Sequence, residues 1–161
     1  MHDAWTDELA AYLTDLSSVQ DELLATLADK RTALLAADSV RLAAVNAREA
    51  QLAERLQDCH AERQAMLARA ACEGETADSI RMLASSLPAP GRLRIAPQID
   101  AAEHRTRLLQ QECLANWVVV QRTLLHLSQM LEIIATGGRQ RPTYGTGDCV
   151  HTHGVLVDHA V

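Results

Sequence analysis

Residues 34–42 read Leu34-Leu35-Ala36-Ala37-Asp38-Ser39-Val40-Arg41-Leu42, and the fold turns on how the chain passes through them. Toward the N-terminus, Leu9, Leu13, Leu16, Gln20, Leu23, Leu27, Lys30 and Leu34 follow one another at steps of four and three, the spacing of a coiled-coil seam. Toward the C-terminus, Leu42, Val45, Glu49, Leu52, Leu56, Cys59, Arg63 and Met66 draw a second seam of the same kind. The two are out of phase, because the first, continued, reaches Arg41 and Ala44 instead of Leu42 and Val45. A single helix would absorb the mismatch as a stutter near Asp38. Alternatively the chain turns there, with Asp38 or Ser39 capping a new helix. The flanking segments, roughly 5–36 and 39–72, each span about 50 Å as helix, and equal lengths favour an antiparallel hairpin.

Beyond the hairpin, Gly74 is a helix stop, and a short helix is expected from about Thr76, as its cap, to Leu87. Pro88-Ala89-Pro90-Gly91 is predicted to break any helix. Pro97 suits the first turn of a new one, where its missing N–H is not needed. That last helix is predicted over about 98–136, ending at Gly137-Gly138. Residues 139–161 mix Arg, Pro, Gly, Thr and His without periodicity. The expected division is a helical coiled-coil domain over 1–137 and a mobile C-terminal tail over 138–161.

Composition agrees with an all-α fold. Ala (27) and Leu (23) dominate the 161 residues, whereas Phe is absent and only two Trp and two Tyr occur. Sheets draw on aromatic and β-branched residues, so an all-β fold is disfavoured. The net charge of −6 argues against nucleic acid or an anionic membrane as the main partner. No apolar run approaches the roughly 20 residues of a membrane span. The acidic start, Met1–Glu8, lacks the basic and apolar parts of a secretory signal. Cys59, Cys72, Cys113 and Cys149 are widely spaced with no Cys-x-x-Cys, which fits reduced thiols and a cytoplasmic chain.

The last long helix carries an anomaly. Val119, Met130 and Ile133 occupy one side, and Trp117, Val120, Leu124, Leu127, Leu131 and Ile134 the adjoining side. Together they sweep about 200°, twice the apolar arc that one core-facing side needs. Half of it can rest on the hairpin. The other half is open to three covers: the short segment 76–87, a second copy of the chain, or a helix from another protein. The tail cluster Cys149-x-His151-x-His153 offers metal-ligand chemistry, but isolated in a Gly-rich stretch it reads as solvated side chains, and no metal or cofactor is expected. Glu49, Arg63 and Glu112 read as semi-buried residues that set register, and His126 as a packed histidine. No nucleophile elbow, phosphate loop, dinucleotide fingerprint or zinc-binding helix motif occurs, so no enzymatic activity is expected.

Three stretches carry a family resemblance. They are Ala33-Leu34-Leu35-Ala36-Ala37-Asp38 with Leu42, Asn46, Ala47-Arg48-Glu49 and Leu52; Asn116-Trp117-Val118-Val119-Val120-Gln121 with Leu124-Leu125 and Leu131; and Pro142-Thr143-Tyr144-Gly145-Thr146-Gly147-Asp148. In this order and at this length the chain resembles the FlgN family, export chaperones of the bacterial flagellum. The resemblance implies a cytoplasmic chaperone without catalytic activity. Its clients would be the C-terminal amphipathic helices of the hook–filament junction proteins FlgK and FlgL, kept unpolymerised and delivered to the type III export gate. It places client binding on Trp117, Val120, Leu124, Leu127, Leu131 and Ile134, and export-gate docking on Tyr144. The free chain is expected as a monomer or weak dimer. A structural coiled-coil protein that homo-oligomerises through the same face is the alternative.

Overall fold

The computed structural model describes residues 2–75 and 77–136. These form four helices and no strand: α1 (His2–Leu35), α2 (Ser39–Cys72), α3 (Ile80–Ser85) and α4 (Ala89–Thr136). The chain divides into two compact units, Met1–Gln121 and Arg122–Val161.

The phase break at residues 34–42 is a turn. The Asp38 N–H donates to the Ala33 carbonyl at 3.0 Å and the Ala37 N–H to the Leu34 carbonyl at 3.2 Å. This double closure ends a helix when the residue between adopts the left-handed conformation. Ala37 does so, with φ 51°. Asp38 then caps α2, its side chain accepting from the Arg41 N–H at 2.9 Å.

Both seams meet inside the hairpin. Leu9, Leu13, Gln20, Leu23 and Leu27 on α1 are buried, as are Leu52, Cys59 and Met66 on α2. Each such leucine removed from water contributes about 1.5–3 kcal/mol before entropy is counted. The two seam positions that broke the apolar pattern face each other: Lys30 Nζ lies 2.6 Å from Glu49 Oε2. The rows of charge beside the seam fit the antiparallel register. Arg55 pairs with Glu22 at 2.9 Å and Arg41 with Asp29 at 3.2 Å. At the open end Arg69 pairs with Glu8 and lies 4.4 Å over the Trp5 ring, whose Nε1–H donates to Glu73.

Gly74, φ 90°, stops α2 by the same double closure, onto Ala70 and Ala71. The short helix is narrower than expected: α3 spans Ile80–Ser85, and Ser79 caps it by accepting from the Met82 N–H. Thr76 lies outside the described residues. Ile80, Leu83, Ala84 and Leu87 all enter the core.

The prolines do not behave as predicted. The long helix starts at Ala89, not near residue 98, and contains Pro90, Gly91 and Pro97. Pro88 supplies the first helical carbonyl, bonded by the Arg92 N–H at 3.0 Å. Pro90 sits in the first turn, where no N–H is required. Gly91 is a packing residue and not a breaker. A Cβ there would lie 2.6 Å from Thr6 Oγ1, so its absence lets α4 approach α1. Pro97 forfeits the bond to the Leu93 carbonyl on an exposed face, while its neighbours Ile95 and Ile99 are buried.

Up to Gln121, α4 lies along α1 in the same direction. Arg94 pairs with Asp7 at 3.0 Å and Arg105 with Asp21 at 2.7 Å. Gln20 Nε2 donates to the Ala102 carbonyl at 3.1 Å, and Asn116 Nδ2 to the Leu27 carbonyl at 2.9 Å. Thus α1 has α2 antiparallel on one flank and α4 parallel on the other, with α3 in the return.

Candidate functional site

The inward stripe of α4 in the first unit is set by Ile95, Ile99, Ala102 and Asn116, all buried, with Leu109 half-buried. Asn116 Nδ2 satisfies a carbonyl of α1, whereas its Oδ1 is buried with no hydrogen-bond partner among the described residues. In the sequence it stands out only through the family resemblance. A signal for its burial is nonetheless present: an Asn on the three-and-four spacing that runs through Leu109.

Trp117 and Val120, the first two of the expected binding residues, border a depression of about 260 Å³ together with Leu27, Lys30 and Asn116. Val120 is half-buried and Trp117 is 58 % exposed.

In the second unit every described residue from 122 to 135 is exposed. Leu124 is 52 %, Leu127 50 %, Leu131 65 % and Ile134 72 % exposed. Leu125, Met130 and Ile133 of the neighbouring faces are exposed too. Large apolar side chains of this segment thus face water, interspersed with the polar Arg122, His126, Gln129 and Glu132. His126 is exposed as well, which corrects its expected packing: the residues flanking it leave nothing for it to pack into. Tyr144, Cys149, His151 and His153 lie outside the described residues.

The semi-buried polar residues are structural. Glu112 pairs with Arg31 at 2.8 Å, and Glu49 with Lys30. Cys59 donates to Asp15 at 3.6 Å. Burial, reinforced by that hydrogen bond and the Asp15 charge, pushes its thiol up to about 11. A thiol so held is neutral and a poor nucleophile. Among the described residues no three His, Cys, Asp or Glu side chains gather as a metal set, and no helix is long and apolar enough to cross a membrane.

Set against known protein families, residues 1–147 match the family model described as FlgN protein. No curated protein matches, and no solved structure does. The matched span holds the whole hairpin, α3, all of α4 and the stretch that includes Tyr144. An all-helical chain that presents an uncovered apolar helix end, and fits that model over most of its length, belongs to the FlgN family of flagellar export chaperones, a chaperone family and not an enzyme family.

Proposed function

We propose that this chaperone works in the cytoplasm on hook–filament junction proteins of the FlgK and FlgL type. It holds their C-terminal amphipathic helices unpolymerised and delivers them to the flagellar type III export gate. The observation that carries this reading is the exposed apolar run from Leu124 to Ile134. Exposed apolar patches on this scale are interaction surfaces, because water is expelled from them when a partner arrives. A helix partner would lay its own stripe on Trp117, Val120, Leu124, Leu127, Leu131 and Ile134. Such a contact is made of desolvation and packing, with no covalent step, so it can be firm in the cytoplasm and still released at the gate. Tyr144 in the tail, 138–161, is assigned to docking at the gate, and residues 1–137 to the client.

Light scattering on size-exclusion peaks tests the reading. The full chain is run alone and with C-terminal fragments of the junction proteins from the same genome. A discrete one-to-one complex, formed from a monomer or weak dimer, is expected. A stable homo-oligomer that ignores the fragments would instead identify a structural coiled-coil protein that self-associates through this face.

A further inference from the structure

The first unit carries a second apolar surface. Helices α2 and α4 flank α1 without closing over it, and three depressions of about 390, 660 and 260 Å³ lie along the gap. They follow one another: Thr106 borders the first and second, and Cys113 the second and third. From Ile99 to Val120 the furrow runs about 32 Å along α4, some six helical turns. Leu16 of α1 lies in its floor, with Leu56 of α2 and Leu109 of α4 in its walls, all three only half-buried. Three helices so arranged form a four-helix bundle with one member missing.

The charges beside the furrow say what the missing member carries. Lys30 is matched by Glu49, and Arg81 by Asp100 and Glu103. Arg63 borders the first two depressions, is half-buried, and has no carboxylate at pairing distance among the described residues. A half-buried guanidinium calls for a carboxylate, and bidentate pairing makes such a contact directional. Gln20, which borders the second depression, and Asn116, which borders the third, each keep a buried side-chain oxygen without a donor among the described residues.

We propose that this furrow seats the terminal helix of the client, an amphipathic helix of about six turns whose Leu- or Ile-rich stripe enters the gap and whose Asp or Glu meets Arg63. The inference rests on the chaperone reading and gives the client a seat within the first unit itself.

The native cysteines test it. Cys113 is exposed and borders the furrow, whereas Cys72 is exposed at the far end of α2 and borders none of the three depressions. Alkylation of the full wild-type chain is followed by mass spectrometry, with and without a junction-protein C-terminal fragment. With saturating fragment, Cys113 is expected to react at least about tenfold more slowly while Cys72 keeps its rate. Arg63→Glu should weaken the fragment about tenfold or more, and an Asp- or Glu-to-Arg change in the fragment should restore binding to that variant. A complex seen by light scattering in which Cys113 keeps its rate and Arg63→Glu binds normally overturns the furrow and leaves the chaperone reading intact. Absence of any complex overturns both. Protection of Cys113 in the free chain that disappears on dilution would make a second copy the occupant, against the proposal.

Discussion

Lys30 and Glu49, the two residues that interrupt the facing seams of the hairpin, lie 2.6 Å apart, and each side chain is less than one-third exposed. Each charge is tolerable on the seam because the other is there. Lys30→Met or Glu49→Leu alone should therefore cost about 1–2 kcal/mol, since the survivor is left half-buried and unpaired. The double variant should recover that loss, as an apolar pair fills the same seam. Urea denaturation of all four proteins checks this, and a double variant less stable than both singles would sink it.

The C-terminal stops of α1 and α2 pose the same backbone problem with different residues. Ala37 and Gly74 both adopt the left-handed conformation at a helix stop, at φ 51° and 90°. An L-residue pays about 1–2 kcal/mol for that conformation, partly offset by the greater freedom of glycine in the unfolded chain. Ala37→Gly should stabilise the hairpin by about 0.5–1 kcal/mol. Gly74→Ala should lose about 1 kcal/mol, with no steric contribution because nothing lies within 4 Å of the added Cβ. Opposite shifts in melting temperature are the expected pattern; shifts of the same sign would refute the backbone argument.

On the exposed end of α4, Leu124 is half in water already. A glutamate there should change stability by no more than about 0.5 kcal/mol. Client affinity should fall by at least about tenfold, because a charge would then be buried unpaired under the partner helix. Circular dichroism and fragment binding separate the two effects. If Leu124→Glu unfolds the chain, this face belongs to the core and the binding assignment fails.

Cys59 predicts an alkaline signature. Its thiol is pushed up to about 11 from an ordinary 9.0, chiefly by burial and then by Asp15. An acid whose folded value is raised stabilises the fold below its unfolded value, and that contribution is lost as pH rises through the folded one. The stability difference between the wild type and Cys59→Ala should thus hold steady to about pH 9 and shrink toward about pH 11. Denaturation series at matched pH would show it. A difference that stays constant over this window would mean that Cys59 ionises alike in both states.

Most of the hairpin was legible in the chain. The slip of phase between Leu34 and Leu42 marked the turn, and Asp38 had the right chemistry to cap the second helix. The start of α4 was not, because Pro and Gly break helices only when their position demands an N–H or a Cβ. Pro90 sits where no N–H is used, and Gly91 answers to Thr6, 85 positions away in the chain. By spacing alone Arg63 is a register residue. Its lack of a carboxylate partner among the described residues shows only once α1, α2 and α4 are assembled, since the sequence offers acids on every side. The breadth of the apolar arc on α4 was visible from spacing alone; that both of its sides, and not one half, are exposed from Leu124 to Ile134 was not.

The parallel placement of α4 beside α1 also bears on how the protein is made. Gln20 waits for Ala102, a partner 82 positions later. At a ribosomal speed of about 5–20 residues per second, that is a delay of roughly 4–16 s. During it the nascent hairpin can close while one flank of α1 is still bare. That flank is not a naked hydrocarbon strip: it carries Gln20, and it is edged by Asp7 and Asp21, which later receive Arg94 and Arg105. The polar residues that fasten the finished fold are the same ones that keep its unfinished face wetted during synthesis.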